Sequence, residues 1–420
     1  MRRASASLLL PLLLIGCSDD PDPVMGGADV GSDVTDVPDV SDADAGGAPD
    51  VGDGGGDADQ DVEPDLPLEP LPDRPWDVTE AGYYGVGYRS IDFAYTPDGF
   101  AEERALRASV WYPTRDRAGE PARYSRILPR ETVFDSASVA IDAPAPVMLF
   151  SHGNQAFAEQ SYFLTEFFAS HGWIVIAPSH EGNTIFDNGE RPSEMFEWRP
   201  QDVSRALDAV RDLPEEDALS GLLSDDVILS GHSYGGYTTL AVAGGSYDVE
   251  AIDADCGIVD DDEGCAYFAA ARARYEAGFR DERVKVAIPM APGNARALGG
   301  GVAEIPIPVM HMTALLDKQT TEESSGTPFW AALDGPDDLR VQFLTAGHLT
   351  FSDGCTLVPG TFQDDGCGPE FLDSELAHQF INAYAMAYAR KHLWGDTEYD
   401  DLLGGERSLH PDIELLRHDD

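Results

Sequence analysis

Ten residues fix most of what this chain can become: Val227-Ile228-Leu229-Ser230-Gly231-His232-Ser233-Tyr234-Gly235-Gly236, followed by Tyr237, Thr238, Thr239, Leu240, Ala241, Val242 and Ala243. The β-branched apolar run reads as a buried strand and the small, apolar run after the serine reads as a helix, so the chain must turn sharply at Ser233. That pattern is a nucleophile elbow. The turn forces Ser233 into a strained conformation and brings Gly231 and Gly235 so close to neighbouring backbone that only hydrogen fits there. The helix N-terminus behind the serine puts the Tyr234 backbone N–H and a positive dipole where an oxyanion would form.

The rest of the chain from Trp76 supplies a frame for such an elbow. An alternating stretch from near Tyr84 to Val110-Trp111-Tyr112-Pro113 predicts a leading antiparallel hairpin. Short apolar runs of strand character follow at Val147 to Phe150, Ile174 to Ala177, Val227 to Leu229, Val284 to Met290, Val309 to Thr313 and Arg340 to Leu344. Helical spacing lies between them, with Phe163, Leu164, Phe167 and Phe168 on one face and then Val203, Leu207 and Val210 behind Pro200, which the pattern puts at a first helical position. A closing helix is expected over the Gln379 to Trp394 region. Alternating strand and helix imply an α/β domain over residues 76–420, a mostly parallel sheet with helices on both faces.

A serine hydroxyl needs a base on the same edge of the sheet. His348 in Ala346-Gly347-His348-Leu349 follows the run Val341 to Leu344, where a glycine lets the loop swing an imidazole over the elbow. His152 and His232 sit on strand ends beside the site and read as structural, whereas His378 and His392 belong to the last helix. Asp317, a few residues past the preceding strand, is the expected acid, with Asp353 as its alternative. In Ser151-His152-Gly153-Asn154 the chain turns again, and the Asn154 backbone N–H is the second expected oxyanion donor. No cofactor or metal is needed for such a set.

Taken together, Ser151-His152-Gly153, Ala169-Ser170-His171-Gly172-Trp173-Ile174-Val175-Ile176-Ala177-Pro178-Ser179-His180, Gly231-His232-Ser233-Tyr234-Gly235-Gly236 and Gly347-His348 through Phe351-Ser352-Asp353 resemble the serine α/β-hydrolases. The branch they resemble holds the platelet-activating-factor acetylhydrolases and bacterial relatives annotated by prediction as dienelactone hydrolases. The resemblance implies the α/β-hydrolase fold. The acid marks a departure: the acetylhydrolases take theirs from the strand after the elbow helix, where this chain has Ile288-Pro289-Met290-Ala291-Pro292. Asp317 sits instead as in dienelactone hydrolases and cutinase-like polyester hydrolases. The expected activity is hydrolysis of carboxylic esters through a Ser-His-Asp triad and an acyl-enzyme, on small-molecule or polymeric substrates of lipid, acetyl or polyester type. A serine exopeptidase would use the same triad, but no motif to capture a peptide terminus is present. A non-catalytic binding protein on this fold is the other rival, and such proteins usually lose a triad member.

The N-terminal 75 residues belong to a different class. Arg2 and Arg3 precede an apolar stretch, Leu8 to Ile15, that is too short to span a bilayer, so residues 1–16 read as a signal peptide. Leu14-Ile15-Gly16-Cys17 resembles the lipobox of bacterial lipoproteins, which implies a lipidated Cys17, and Ser18 at the next position implies the outer membrane of the cell envelope. Residues 17–75 hold almost nothing but that cysteine and Asp, Gly, Val, Pro, Ala and Ser, without an aromatic residue, so they cannot offset their ordering entropy and read as a tether. With Cys17 lipidated, four cysteines remain in an oxidising setting, and three pairings are possible. Short loops favour Cys256 with Cys265 and Cys355 with Cys367. Zinc ligation lacks a histidine or second cysteine at ligand spacing.

Net charge is −50, of which residues 76–420 carry −35 once the two arginines of the signal and the 18 acidic and one basic residue of the tether are set aside. That charge argues against binding nucleic acid and against docking on anionic lipid through the domain's own surface. Its field also lowers the local concentration of anionic substrates and leaves neutral ones unaffected. Raising salt to about 0.5 M shrinks the screening length severalfold. Therefore kcat/KM for an anionic ester is expected to rise with salt while that for a matched neutral ester stays flat, and parallel responses would show that the acidic surface serves solubility only.

Overall fold

Seven consecutive buried residues, Ala145–Ser151, form a central strand, because a run apolar on both faces is stable only when both faces are covered. The computed structural model describes residues 76–187, 191–256, 262–293 and 295–418. The expected signal, the Cys17 anchor and the tether lie outside the described residues, and so do the side chains of Cys256 and Cys265. In chain order the strands are β1 (Gly85–Tyr95), β2 (Arg104–Thr114), β3 (Pro121–Tyr124), β4 (Leu128–Asp135), β5 (Ala145–Ser151), β6 (Ile174–Pro178), β7 (Leu223–His232), β8 (Val284–Met290), β9 (Met310–Ala314), β10 (Leu339–Phe343) and β11 (Ile413–Leu416). They form one sheet in the order β11-β10-β9-β8-β7-β5-β6-β2-β1-β4-β3. From β6 to β10 every pairing is parallel, and β1 and β2 make the expected antiparallel hairpin, with Gly85 opposite Thr114.

Side-chain alternation along the central strands sorts the core into two layers. Met148, Phe150, Val175, Ile228, Val286 and Ile288 face helix α1 (Tyr162–Ser170) and the closing helix Ser374–Trp394. Val147, Leu149, Ile174, Ile176 and Val227 face the other way, where helix α2 (Met195–Arg211) brings Val203, Leu207 and Val210 and helix α3 (Tyr234–Ala243) brings Val242. The sheet is thus covered on both faces. Because the parallel strands share one direction, the ends of β5, β7, β9 and β10 all open at one edge, the edge where ligands of such sheets bind.

The leading hairpin and strands β5 to β10 lie within a few residues of the runs that announced them, whereas no run announced β3, β4 or β11. Pro200 is a correction: α2 begins at Met195, so the proline sits inside the helix rather than at its first position. Proline removes one helical N–H and so orphans the carbonyl four residues earlier, that of Phe196. The Tyr237 hydroxyl, coming from α3, donates to that carbonyl at 2.9 Å and meets the Tyr247 hydroxyl at 2.6 Å. The helix continues because a neighbour supplies the missing donor. The closing helix likewise starts earlier than expected, at Ser374, where the Asp373 carboxylate caps Leu376 N at 3.0 Å. Between Ser246 and Arg283, where no element was legible, lie the helices Val249–Cys256 and Asp262–Ala277.

Tyr237→Phe is expected to cost about 1–3 kcal/mol in urea unfolding, because it leaves a carbonyl without its donor. Pro200→Ala restores the helical N–H, so the same tyrosine substitution made in that background should cost markedly less. Equal costs in both backgrounds would show that the Phe196 carbonyl is not the partner that matters.

Candidate active site

The elbow forms where β7 runs into α3. Ser233 adopts φ 57 and ψ −118, a region that L-residues occupy only when surrounding structure holds them there. A Cβ added at Gly235 would lie 1.8 Å from Ser151 O, and one at Gly231 would lie 2.3 Å from Gly235 O. Both glycines are therefore required by contact with backbone. Ser233 N donates to Met290 O at 2.9 Å and Ser233 O accepts from Gly293 N at 3.1 Å, which ties the strained residue to the end of β8. The serine side chain is left partly exposed at the sheet edge.

The loops after β9 and β10 bring a carboxylate and an imidazole together. His348 Nδ1 lies 2.7 Å from Asp317 Oδ2. Asp317 also accepts from Gln319 N and Thr320 N through Oδ1 and from the Thr320 hydroxyl through Oδ2, each at 2.7 Å. Burial works against its charge, but His348 and these donors outweigh burial and hold the carboxyl down at about 2. Burial pulls the His348 imidazolium down, yet the Asp317 carboxylate, with a further contribution from Asp365, raises its proton affinity above the ordinary value. The ring thus carries its proton on Nδ1 and turns Nε2 away from the aspartate. Among the described hydrogen bonds none joins Ser233 Oγ to His348 Nε2. In resting enzymes such bonds are often long and close with substrate.

Side chains that sequence reasoning missed link these loops. Gln160 accepts from Gly153 N at 2.7 Å and donates to His232 Nδ1 at 2.7 Å. His232 Nε2, the donating nitrogen in that tautomer, then reaches His348 O at 3.0 Å. One amide thereby connects the ends of β5 and β7 to the histidine loop. Asp365 accepts from His348 N at 2.9 Å and Lys318 N at 3.1 Å, so it braces His348 and the neighbour of Asp317 at once. It lies inside the loop closed by the Cys355–Cys367 disulfide, which is formed. A glutamine and an aspartate in irregular segments give no periodic signal to find them by.

Asp353 does not join the site. Its carboxylate accepts from Phe163 N at 3.0 Å, at the start of α1, where Ser161 gives no side-chain cap. Burial pushes its proton affinity far above the ordinary value. His378 is committed to the carbonyls of Thr350 and Ser352 at 3.1 and 3.2 Å. His152 accepts from His180 N at 3.1 Å on Nε2, so its Nδ1–H donates to Gly153 O at 2.8 Å. Asn154 follows that glycine, with its side-chain oxygen held by Asn183 Nδ2 at 2.9 Å.

A second serine-histidine-aspartate string runs beneath the site: Ser151 Oγ to His180 Nε2 at 2.9 Å and His180 Nδ1 to Asp202 Oδ2 at 2.9 Å. All three side chains are fully buried. Asp202 also pairs with Arg104 at 3.1 Å, and burial with the nearby Arg199 and Arg104 charges keeps His180 neutral despite the carboxylate.

Comparison with known proteins agrees with this architecture. Residues 137–260, from the segment before β5 through the elbow, match the chlorophyllase family model. A ferulic acid esterase from Streptomyces cinnamoneus is similar in structure, with a TM-score of 0.53 at 17% identity over 79% of this chain and 96% of that chain. No curated protein matches the sequence. The fold is that of the α/β-hydrolases.

Opening the Cys355–Cys367 bridge should loosen Asp365 and with it both loops it braces. Replacing both cysteines by serine is expected to cost about 2–4 kcal/mol of stability, the usual range for a short loop. Hydrogen exchange at the His348 and Lys318 amides is expected to quicken by more than that of the β5 and β7 amides. Uniform quickening would mean that the bridge stabilises the whole domain without a local role.

Proposed function

We propose that this protein is a carboxylic ester hydrolase in which Ser233 is the nucleophile, His348 the general base and Asp317 its orienting acid. The observation that carries this reading is the 2.7 Å Asp317–His348 pair, on the same sheet edge as a serine strained at the elbow. An α/β-hydrolase-like esterase family covers the elbow region, and the structural neighbour is named an esterase, which supports the reaction class. Ser233 Oγ attacks the ester carbonyl carbon while its proton passes to His348 Nε2. The negative oxygen is held by the backbone N–H groups of Tyr234 and Asn154. Collapse expels the alcohol, which takes the proton from His348, and leaves an acyl-serine. Water, deprotonated by the same nitrogen, then releases the acid and restores the serine. Asp317 keeps the proton on Nδ1 throughout and stabilises the imidazolium without accepting its proton.

Neutral esters of short to medium acyl chain are the proposed substrates, since the domain is strongly acidic. Cys17, as a lipid anchor, would hold the enzyme at the bacterial outer membrane on its acidic tether.

Ser233→Ala is expected to lower kcat by about 10⁶ with the fold intact, because members of a triad act as a unit. Asp317→Asn should cost about 10⁴ through the wrong tautomer, and Asp353→Asn should cost little. Activity needs neutral His348, so kcat/KM should fall as pH drops through a value above the ordinary 6.5. Rates on a chromogenic ester across pH 5–9 check all of these. A larger loss from Asp353→Asn than from Asp317→Asn would reassign the acid.

A further inference from the structure

Arg199 is an arginine on the buried face of α2, fully enclosed. Its guanidinium donates to His152 O, to Gly153 O at 3.5 Å, to Ser151 Oγ at 3.2 Å and to Asn183 Oδ1 at 2.7 Å. Its Nε reaches Thr238 Oγ1 in α3 at 3.3 Å, and its carbon centre stands 4.5 Å from the Tyr234 ring. These contacts fall on the two segments that present the proposed oxyanion donors. No salt bridge is made by Arg199 among the described residues, and the neighbouring Asp202 is committed to Arg104 and His180. Burial lowers its proton affinity to about 9, so it remains a cation at neutral pH.

Direction follows from the geometry of the amide. In a trans peptide the carbonyl and the N–H point to opposite sides. The Gly153 carbonyl is drawn inward by Arg199 and by His152 Nδ1–H, so the N–H of the same peptide, that of Asn154, points outward. Gly153 itself stands beside the serine: a Cβ added there would lie 3.5 Å from Ser233 Cβ. Asn183 completes the hold, accepting from Arg199 and donating to Asn154 Oδ1 at 2.9 Å.

We propose that Arg199 is a positioning residue for the oxyanion hole: its fork sets the direction of the Asn154 N–H, and its buried charge, which makes no salt bridge among the described residues, lies behind the oxygen that becomes negative. This rests on the ester-hydrolase reading above. A fixed charge in a low-dielectric interior acts on the transition state far more than on a neutral ester. The signature is therefore a fall in kcat with little change in KM.

The test compares wild type with Arg199→Lys, Arg199→Met and Asn183→Ala in the full chain, using p-nitrophenyl butyrate, a fluorophosphonate probe and a trifluoromethyl ketone that forms a charged hemiketal on serine. Loss of one oxyanion donor typically costs about 10²–10³ in rate. Arg199→Met is expected to lose that much in kcat, and to weaken ketone inhibition by the same factor. Arg199→Lys, which keeps the charge and loses the fork, should fall between it and wild type, and Asn183→Ala should lose about tenfold. Should Arg199→Met not fold, as judged by circular dichroism, the lysine and alanine variants decide. Folded variants with unchanged kcat and ketone inhibition, or with a change in KM alone, would overturn the proposal. Wild type that neither reacts with the fluorophosphonate nor hydrolyses the ester would overturn the underlying reading instead.

Discussion

Everything at the sheet edge depends on how closely α3 approaches the end of β5. The contact is backbone on backbone: Gly235 leaves no room for a Cβ beside Ser151 O, and Gly231 leaves none beside Gly235 O. Ser233 has its unfavourable φ because both of its neighbours in space are already fixed, with its own amide tied to Met290 O and its carbonyl to Gly293 N. Strain of this kind costs about 1–3 kcal/mol and persists only where packing overdetermines it. Seven fully buried residues in β5 and the buried end of β7 supply that packing.

The fold was legible because its signals are periodic. A parallel sheet covered on both faces demands short runs apolar throughout, and β5, β6 and β8 announce themselves in that way. That His348 and Asp317 come together on neighbouring loops was legible because chain order constrains which loops reach the elbow. What stayed hidden was chemistry between distant segments. Pro200 looked like a helix start because sequence alone cannot show that Tyr237, 37 positions on, supplies the donor the helix lacks. Gln160 and Asp365 act through backbone groups whose positions only the folded chain defines. Arg199 did leave a trace: Met195, Arg199, Val203, Leu207 and Val210 fall on one helical face, a charge within an apolar stripe.

Charge environment separates the histidines crowded at this edge. His152, His180 and His232 are buried, and burial leads each of them toward the neutral form. As neutral rings they serve as directional hydrogen-bond parts, each tautomer set by its partners. His348 alone among these four has its proton affinity raised, because Asp317 faces it and no guanidinium stands between. Arg199 and Arg104 do the opposite for His180, although that ring also has a carboxylate at 2.9 Å.

Ser151, His180 and Asp202 hold a lesson for recognising enzymes by shape. A template that matches only hydroxyl, imidazole and carboxylate distances accepts this buried string, whose two contacts are both 2.9 Å, and passes over Ser233, which makes no such bond to His348. The buried string makes both of its contacts at rest, since a string sealed from water has no reason to open. A template that asked in addition for a positive φ at the serine and for a histidine without a cationic neighbour would choose the other way. In this molecule, then, the complete resting string is sealed inside the fold, and the serine with the strained backbone stands partly exposed at the open end of the sheet.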